Sequence, residues 1–122
     1  MPPILVSHSL GGTTIAHALK REPELPVRGA FIVAPPDLDR NDVPPEIHNF
    51  RPTPLSPLPF PSWLIASSND PMSDLKASES LAFHWGSQLK CVGNRQHIGG
   101  AANLGNWEEG QLLFAEFLNH LT

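Results

Sequence analysis

Ser9 stands in a setting that makes an ordinary alcohol reactive. It lies in Ser7-His8-Ser9-Leu10-Gly11-Gly12, between the apolar run Ile4-Leu5-Val6 and a stretch with helical spacing. A small residue, a spacer, a serine, a spacer and a glycine at a strand-to-helix junction form the pattern of a nucleophile elbow. The tight turn forces the serine into a strained, exposed position. Small residues two before and two after it keep strand and helix from colliding. The same turn aims backbone N–H groups, that of Leu10 among them, at the helix N-terminus, where a developing oxyanion is stabilised. Ser7 occupies the first small position in place of glycine and still avoids bulk. The competing reading is a serine-rich turn that only caps the helix.

A nucleophilic serine needs a base, and the base needs a group to orient it. On a sheet of this kind the chain order is serine, then Asp or Glu, then histidine. Asp70, in Ser67-Ser68-Asn69-Asp70-Pro71, directly follows an apolar strand-like run; His97, in Gln96-His97-Ile98-Gly99-Gly100, follows the fourth strand segment and precedes the last helix. Asp74 is a rival acid but stands where it would cap a helix. Asp37, Asp39 and Asp42 also follow a strand, in a proline-rich neighbourhood. His8 is expected to point away from Ser9 and to pack or line a substrate site. His17 and His84 fall inside helices, His48 lies among prolines, and His120 sits in a last helical turn where a cation suits the dipole. None of these histidines has metal-ligand spacing. Cys91 falls within a strand, where a buried, inert thiol is expected.

The elements that must position these groups follow from periodicity. Ile4–Val6 has the continuous apolar character of a strand buried on both faces. Gly11 to Arg21 carries Ile15, Ala16, Ala18 and Leu19 on one helical face, stopped by Pro23. Val27–Ala34 predicts a second strand and Trp63–Ala66 a third. Asp74–Trp85 predicts a helix with Leu75, Ser78, Leu81, Ala82 and Trp85 on one face and Gly86 as C-cap. Gln88–Val92 predicts a fourth strand. Asn106 with Glu109 suggests a capping box opening a helix that buries Leu112, Leu113, Phe117 and Leu121. The order β-α-β-loop-β-α-β-loop-α implies an α/β fold, a parallel sheet of about four strands with flanking helices.

Composition narrows the field. The chain has 122 residues, enough for one domain with one modest core. With 8 basic and 12 acidic residues it lacks the cationic surface that nucleic acid requires. No apolar run reaches the ~20 residues of a membrane span, and the N-terminus has no signal-peptide pattern. A single cysteine excludes an intrachain disulfide, so a cytoplasmic setting is expected, with no cofactor and no metal. The 14 prolines are more than twice the usual share of ~5%, and 9 of them fall within residues 35–61. That stretch is expected to be a lid-like segment.

Four segments together resemble the small α/β-fold serine hydrolases related to retinoblastoma-binding protein nine, especially the bacterial members. They are Val6–Gly11, Arg28–Ala30 through Val33–Asp37, Ala66–Pro71, and His97 through Asn103–Gly110. The resemblance implies Ser9 as nucleophile, Asp70 as acid and His97 as base, acting on small acyl esters. The family commonly has asparagine two residues after the histidine, where this chain has Gly99. Residues 1–122 are expected to form the C-terminal portion of an α/β-hydrolase-like domain, beginning at the elbow strand and lacking the N-terminal strands. Two expectations follow. The first strand should expose an unpaired edge open to dimerisation, and the second oxyanion donor, usually upstream of the elbow, should be missing. A hydrolase of small esters is one reading; an impaired fragment or non-catalytic binding module of the same fold is the other.

Overall fold

The computed structural model describes residues 1–122, the side chain of Ala101 excepted. The elements are β1 (Ile4–His8), α1 (Leu10–Arg21), β2 (Gly29–Val33), β3 (Ser62–Ala66), α2 (Leu75–Trp85), β4 (Gln88–Cys91) and α3 (Glu108–His120). The strands form one parallel sheet in the order β1-β2-β3-β4. β2 and β3 are buried at every position, which is why their sequences show no apolar–polar alternation.

Two helical layers bury the sheet. On one face Ala30, Ile32 and Leu64 pack with Ile15, Ala16 and Leu19 of α1 and with Ala82 and Trp85 of α2. The other face, with Phe31, Val33, Trp63 and Ile65, is covered by α3 through Phe117, which is fully buried. Phe117 meets the rings of Trp63 and Phe31 at centroid separations of 5.4 and 5.8 Å, within the range of favourable tilted aromatic pairs. β1 is an edge strand, and Val6 on it is 62% exposed.

Asp74 caps α2 as expected, its Oδ1 accepting the Ala77 N–H at 2.8 Å. Gly86 ends α2 at φ 70°, a conformation that costs glycine nothing. The capping box expected at α3 does not form. Trp107 is the N-cap residue, at φ 47°, and no side chain caps the helix. Glu109 turns instead toward Arg95, with Oε1 3.3 Å from Nε. Leu112, expected inside, is 68% exposed. The inward stripe of α3 runs through the partly buried Leu113 and the buried Phe117 to the partly buried Leu121 just past its end, and a residue one position off that i, i+4 row points about 100° away. Cys91 is also exposed rather than buried. It belongs to β4, the other edge of the sheet, where burial on both faces no longer holds.

Residues 35–61 form the crossover from β2 to β3 without an α-helix. Their prolines remove backbone donors and fix φ, so the segment holds only a 3₁₀ turn, Pro45–Phe50. Side chains supply its anchors. His17 Nε2 of α1 donates to the Phe50 carbonyl at 2.7 Å, and Trp85 Nε1 of α2 donates to the Pro54 carbonyl at 2.8 Å. Arg51 donates to the carbonyls of Leu38 and Arg40, and Arg40 to that of Pro71. The segment thus lies against both helices on one side and reaches the loop after β3 on the other.

Candidate active site

The loops after β1, β3 and β4 open at the C-terminal edge of the parallel sheet, the edge where sites of such folds converge. Ser9 joins β1 to α1. Its backbone sits at φ 57°, ψ −125°, a sparsely populated region for a residue with a side chain. Such a conformation costs of order 1–3 kcal/mol and must be held by its surroundings. Here the Ser9 N–H donates to the Val33 carbonyl of β2 at 2.9 Å, and the Ser9 carbonyl accepts from Gly12 N–H at 3.1 Å. Gly12 lets α1 approach the sheet: a Cβ there would stand 2.7 Å from Ile32 Cγ2 and 3.2 Å from Pro35 Cβ. Leu10 is the first residue of α1, so its N–H has no acceptor within the helix and faces outward from the helix start.

Ser7 fits the tight space, but its hydroxyl has a cost. Ser7 Oγ is buried and has no hydrogen-bond partner. An unpartnered buried hydroxyl opposes folding by roughly 1–3 kcal/mol. Ser7→Ala keeps the Cβ and removes the orphaned oxygen. It is expected to raise unfolding stability by about 1 kcal/mol, seen as a higher urea midpoint at unchanged slope. A lower midpoint would show that the hydroxyl does bond in solution.

Asp70 follows β3 and is held inside the protein, its side chain only 2% exposed. One carboxyl oxygen, Oδ1, accepts the Met72 N–H at 2.8 Å. His97 follows β4, and its Nδ1 lies 3.0 Å from both Asp70 oxygens. The Nε2 on the other side of the ring lies 2.8 Å from Ser9 Oγ. The three groups, 61 and 27 residues apart in sequence, are therefore joined in one line of hydrogen bonds. A carboxylate can only accept, so Nδ1 carries the proton it donates to Asp70. In the neutral ring Nε2 is then the acceptor, and the Ser9 hydroxyl donates to it.

Asp74 is the cap of α2, and Asp37 and Asp42 engage their own neighbourhood: Asp37 Oδ1 accepts the Asp39 N–H at 3.1 Å and Asp42 pairs with Arg40 at 2.7 Å. His17 and His48 bond to backbone carbonyls of the proline-rich segment, and His84 to the Ser80 carbonyl of its own helix. His8 departs from expectation. It does not turn away from the site but bonds to the loop that carries His97, with Nε2 2.9 Å from the His97 carbonyl oxygen.

Two residues that residue types alone did not single out support the same loop. Ser67 Oγ accepts the Arg95 N–H at 2.8 Å, and Asn69 Oδ1 accepts the Gln96 N–H at 2.7 Å. Ser67 in turn donates to Asn69 Oδ1 at 3.0 Å. The loop after β3 thus grips the loop after β4 by its backbone as well as through Asp70. Ser67 and Asn69 lie in the family-like Ala66–Pro71 segment, so a signal existed, but their acceptors become partners only when two strands are placed side by side. Among the described residues no three His, Cys, Asp or Glu side chains converge as metal ligands, and no helix is long and apolar enough to cross a membrane.

Comparison with known proteins agrees with this architecture. Residues 1–116 match the family described as serine hydrolase. A Pectobacterium atrosepticum protein described as a YdeN-like hydrolase superposes with a TM-score of 0.81 at 31% identity, over 99% of this chain and 62% of its own. Alpha/beta hydrolase domain-containing protein 10 from mouse gives 0.65 at 20% identity, over 99% of this chain and 63% of its own. The esterase domain of a Rhodothermus marinus protein gives 0.63 at 15% identity, over 92% of this chain and 59% of its own. The chain therefore spans about three fifths of each of these structures and carries an α/β-hydrolase-like fold. No curated protein matches its sequence.

Proposed function

The chain belongs to the serine hydrolase family, and on that premise we propose that Ser9, His97 and Asp70 act as a catalytic triad hydrolysing small carboxylic esters. Ser9 Oγ attacks the ester carbonyl carbon while His97 Nε2 takes the serine proton. Asp70 stabilises the imidazolium that results and keeps the ring in its productive tautomer. The carbonyl oxygen becomes negative, and the Leu10 N–H at the start of α1 donates to it. His97 then delivers its proton to the departing alkoxide, leaving the acyl group on Ser9. A water, deprotonated by the same Nε2, attacks the acyl carbon and releases the carboxylic acid. Ser9 recovers its proton from His97, and the cycle closes without any external oxidant or metal.

The observation that carries this reading is the line Ser9–His97–Asp70 at 2.8 and 3.0 Å, with its serine at φ 57° in a strand-to-helix turn. A helix-capping serine would have no need of a strained backbone or of a histidine held on its far side by a buried carboxyl group. The small acyl esters follow from the likeness of Val6–Gly11, Arg28–Asp37, Ala66–Pro71 and His97–Gly110 to the bacterial relatives of retinoblastoma-binding protein nine. The hydrolase description of the Pectobacterium protein points to the same reaction class.

A fluorophosphonate probe tests the reading directly, because it phosphonylates only a serine activated as a nucleophile. The folded chain is expected to gain one probe mass on the peptide containing Ser9, and Ser9→Ala to gain none. A folded chain that stays unlabelled sinks the proposal. Labelling that persists in Ser9→Ala would move the nucleophile elsewhere.

A further inference from the structure

The triad leaves His8 unused, and yet His8 touches it. The residue ends β1 and shares a peptide bond with Ser9. Its Nε2 lies 2.9 Å from the carbonyl oxygen of His97. An oxygen of that kind only accepts, so His8 donates from Nε2. The two imidazole rings stand 5.0 Å apart, tilted by 48°.

The loop that receives this bond needs support. His97 lies between Gln96 at φ 51° and Ile98 at φ 53°, two non-glycine residues in the left-handed region. Each is a conformation the chain leaves unless something holds it. Before His97 the loop is held by Ser67 and Asn69 through the N–H groups of Arg95 and Gln96. Beyond it come Gly99 and Gly100, which add backbone freedom. A Cβ at Gly99 would find His8 Cε1 at 3.7 Å, whereas one at Gly100 would find nothing within 4 Å. His8 thus meets the loop on its far side, beside the anchor that Ile98 provides by its burial in the core cluster of Phe31 and Val33.

We propose that His8 is a positioning residue for the base, fixing the His97 peptide relative to Ser9; this rests on the triad reading above. The bond closes a small ring. His8 holds the backbone of His97, His97 reaches back through its side chain to Ser9, and Ser9 is joined covalently to His8. The distance between Oγ and Nε2 is thereby set from both ends of the base. A misplacement of the order of 1 Å at such a contact costs about 100-fold in rate. His8 is exposed, so it acts on the chemistry without contributing a core side chain.

The test uses the full chain, 4-nitrophenyl acetate turnover and fluorophosphonate labelling. His8→Phe keeps a flat ring but lacks the donor; His8→Gln places an amide N–H where Nε2 stands. With both variants folded as the parent by circular dichroism, His8→Phe is expected to lower kcat by about tenfold or more with KM little changed. His8→Gln is expected to restore most of that loss. An unchanged kcat in His8→Phe overturns the proposal. So does an equal loss in both variants, or an effect confined to KM, which would make His8 a substrate-lining group. If the parent chain itself neither turns over nor labels at Ser9, the triad reading falls, and this proposal with it.

Discussion

Asp70→Asn is expected to lower turnover of a small activated ester by about 10⁴-fold while leaving the fold intact. The substitution changes one atom in a side chain that is almost wholly buried, so shape and packing persist. What changes is the direction of a hydrogen bond. The Met72 N–H donates to Oδ1 at 2.8 Å, and it requires an acceptor there. The amide oxygen of the variant therefore takes the Oδ1 position, and the amide nitrogen takes that of Oδ2. That nitrogen then stands about where Oδ2 now lies, 3.0 Å from His97 Nδ1, and it offers a proton instead of accepting one. The amide oxygen at the Oδ1 position is also 3.0 Å from Nδ1 but is already engaged by the Met72 N–H, so the new N–H favours the tautomer in which His97 accepts at Nδ1 and carries its proton at Nε2. In that tautomer Nε2 meets Ser9 Oγ as a donor, and the serine has no base. The loss corresponds to about 5 kcal/mol of transition-state stabilisation. It is measured as kcat with 4-nitrophenyl acetate, beside thermal unfolding to show that the fold survives. Turnover within about tenfold of the parent would mean that Asp70 does not govern the tautomer of His97.

Much of this arrangement is legible in the sequence because it depends on where strands end. The elbow announces itself through small residues at fixed offsets from Ser9. Asp70 follows an apolar run of strand length and His97 follows the mixed strand segment Gln88–Val92, and in a parallel sheet all such ends open on one edge. Residues whose roles depend on the spacing between separate loops were not legible. The direction of His8 depends on how β1 is rotated in the sheet. The bonds from Ser67 and Asn69 exist only because β3 and β4 are neighbours. Local patterns also misled where a distant partner competed. Asn106 and Glu109 have capping-box spacing, but Glu109 finds Arg95 across the loop, and Trp107 enters the helix through the left-handed region. Cys91 reads as buried because it falls within a strand, and it is exposed because that strand is an edge. The order of strands in the sheet is a property of the whole chain, and no single segment carries it.

The prolines lead to the second large effect, which falls on stability. A crossover of 27 residues that cannot form a helix needs partners outside itself. Trp85 is the partner from α2. It is 1% exposed, packs in the core with Ile32 and Leu64 of the sheet, and donates from Nε1 to the Pro54 carbonyl at 2.8 Å. Its own carbonyl accepts the Leu58 N–H at 2.9 Å. Trp85→Ala should therefore remove about 3–5 kcal/mol of stability, a large share of the ~5–15 kcal/mol that holds a domain of this size. Trp85→Phe separates the contributions: it keeps most of the apolar contact and loses the donor, so its cost should be nearer 1–2 kcal/mol. Because Trp85 lies at the end of α2 remote from the Asp74 cap, the loss should not reach the Ser9–His97–Asp70 line. Urea unfolding of the two variants, with turnover measured per folded molecule, checks both halves. A Trp85→Ala midpoint close to that of the parent would show that the crossover is anchored elsewhere. A fall in turnover per folded molecule would show that α2 transmits its packing to the loop carrying Asp70.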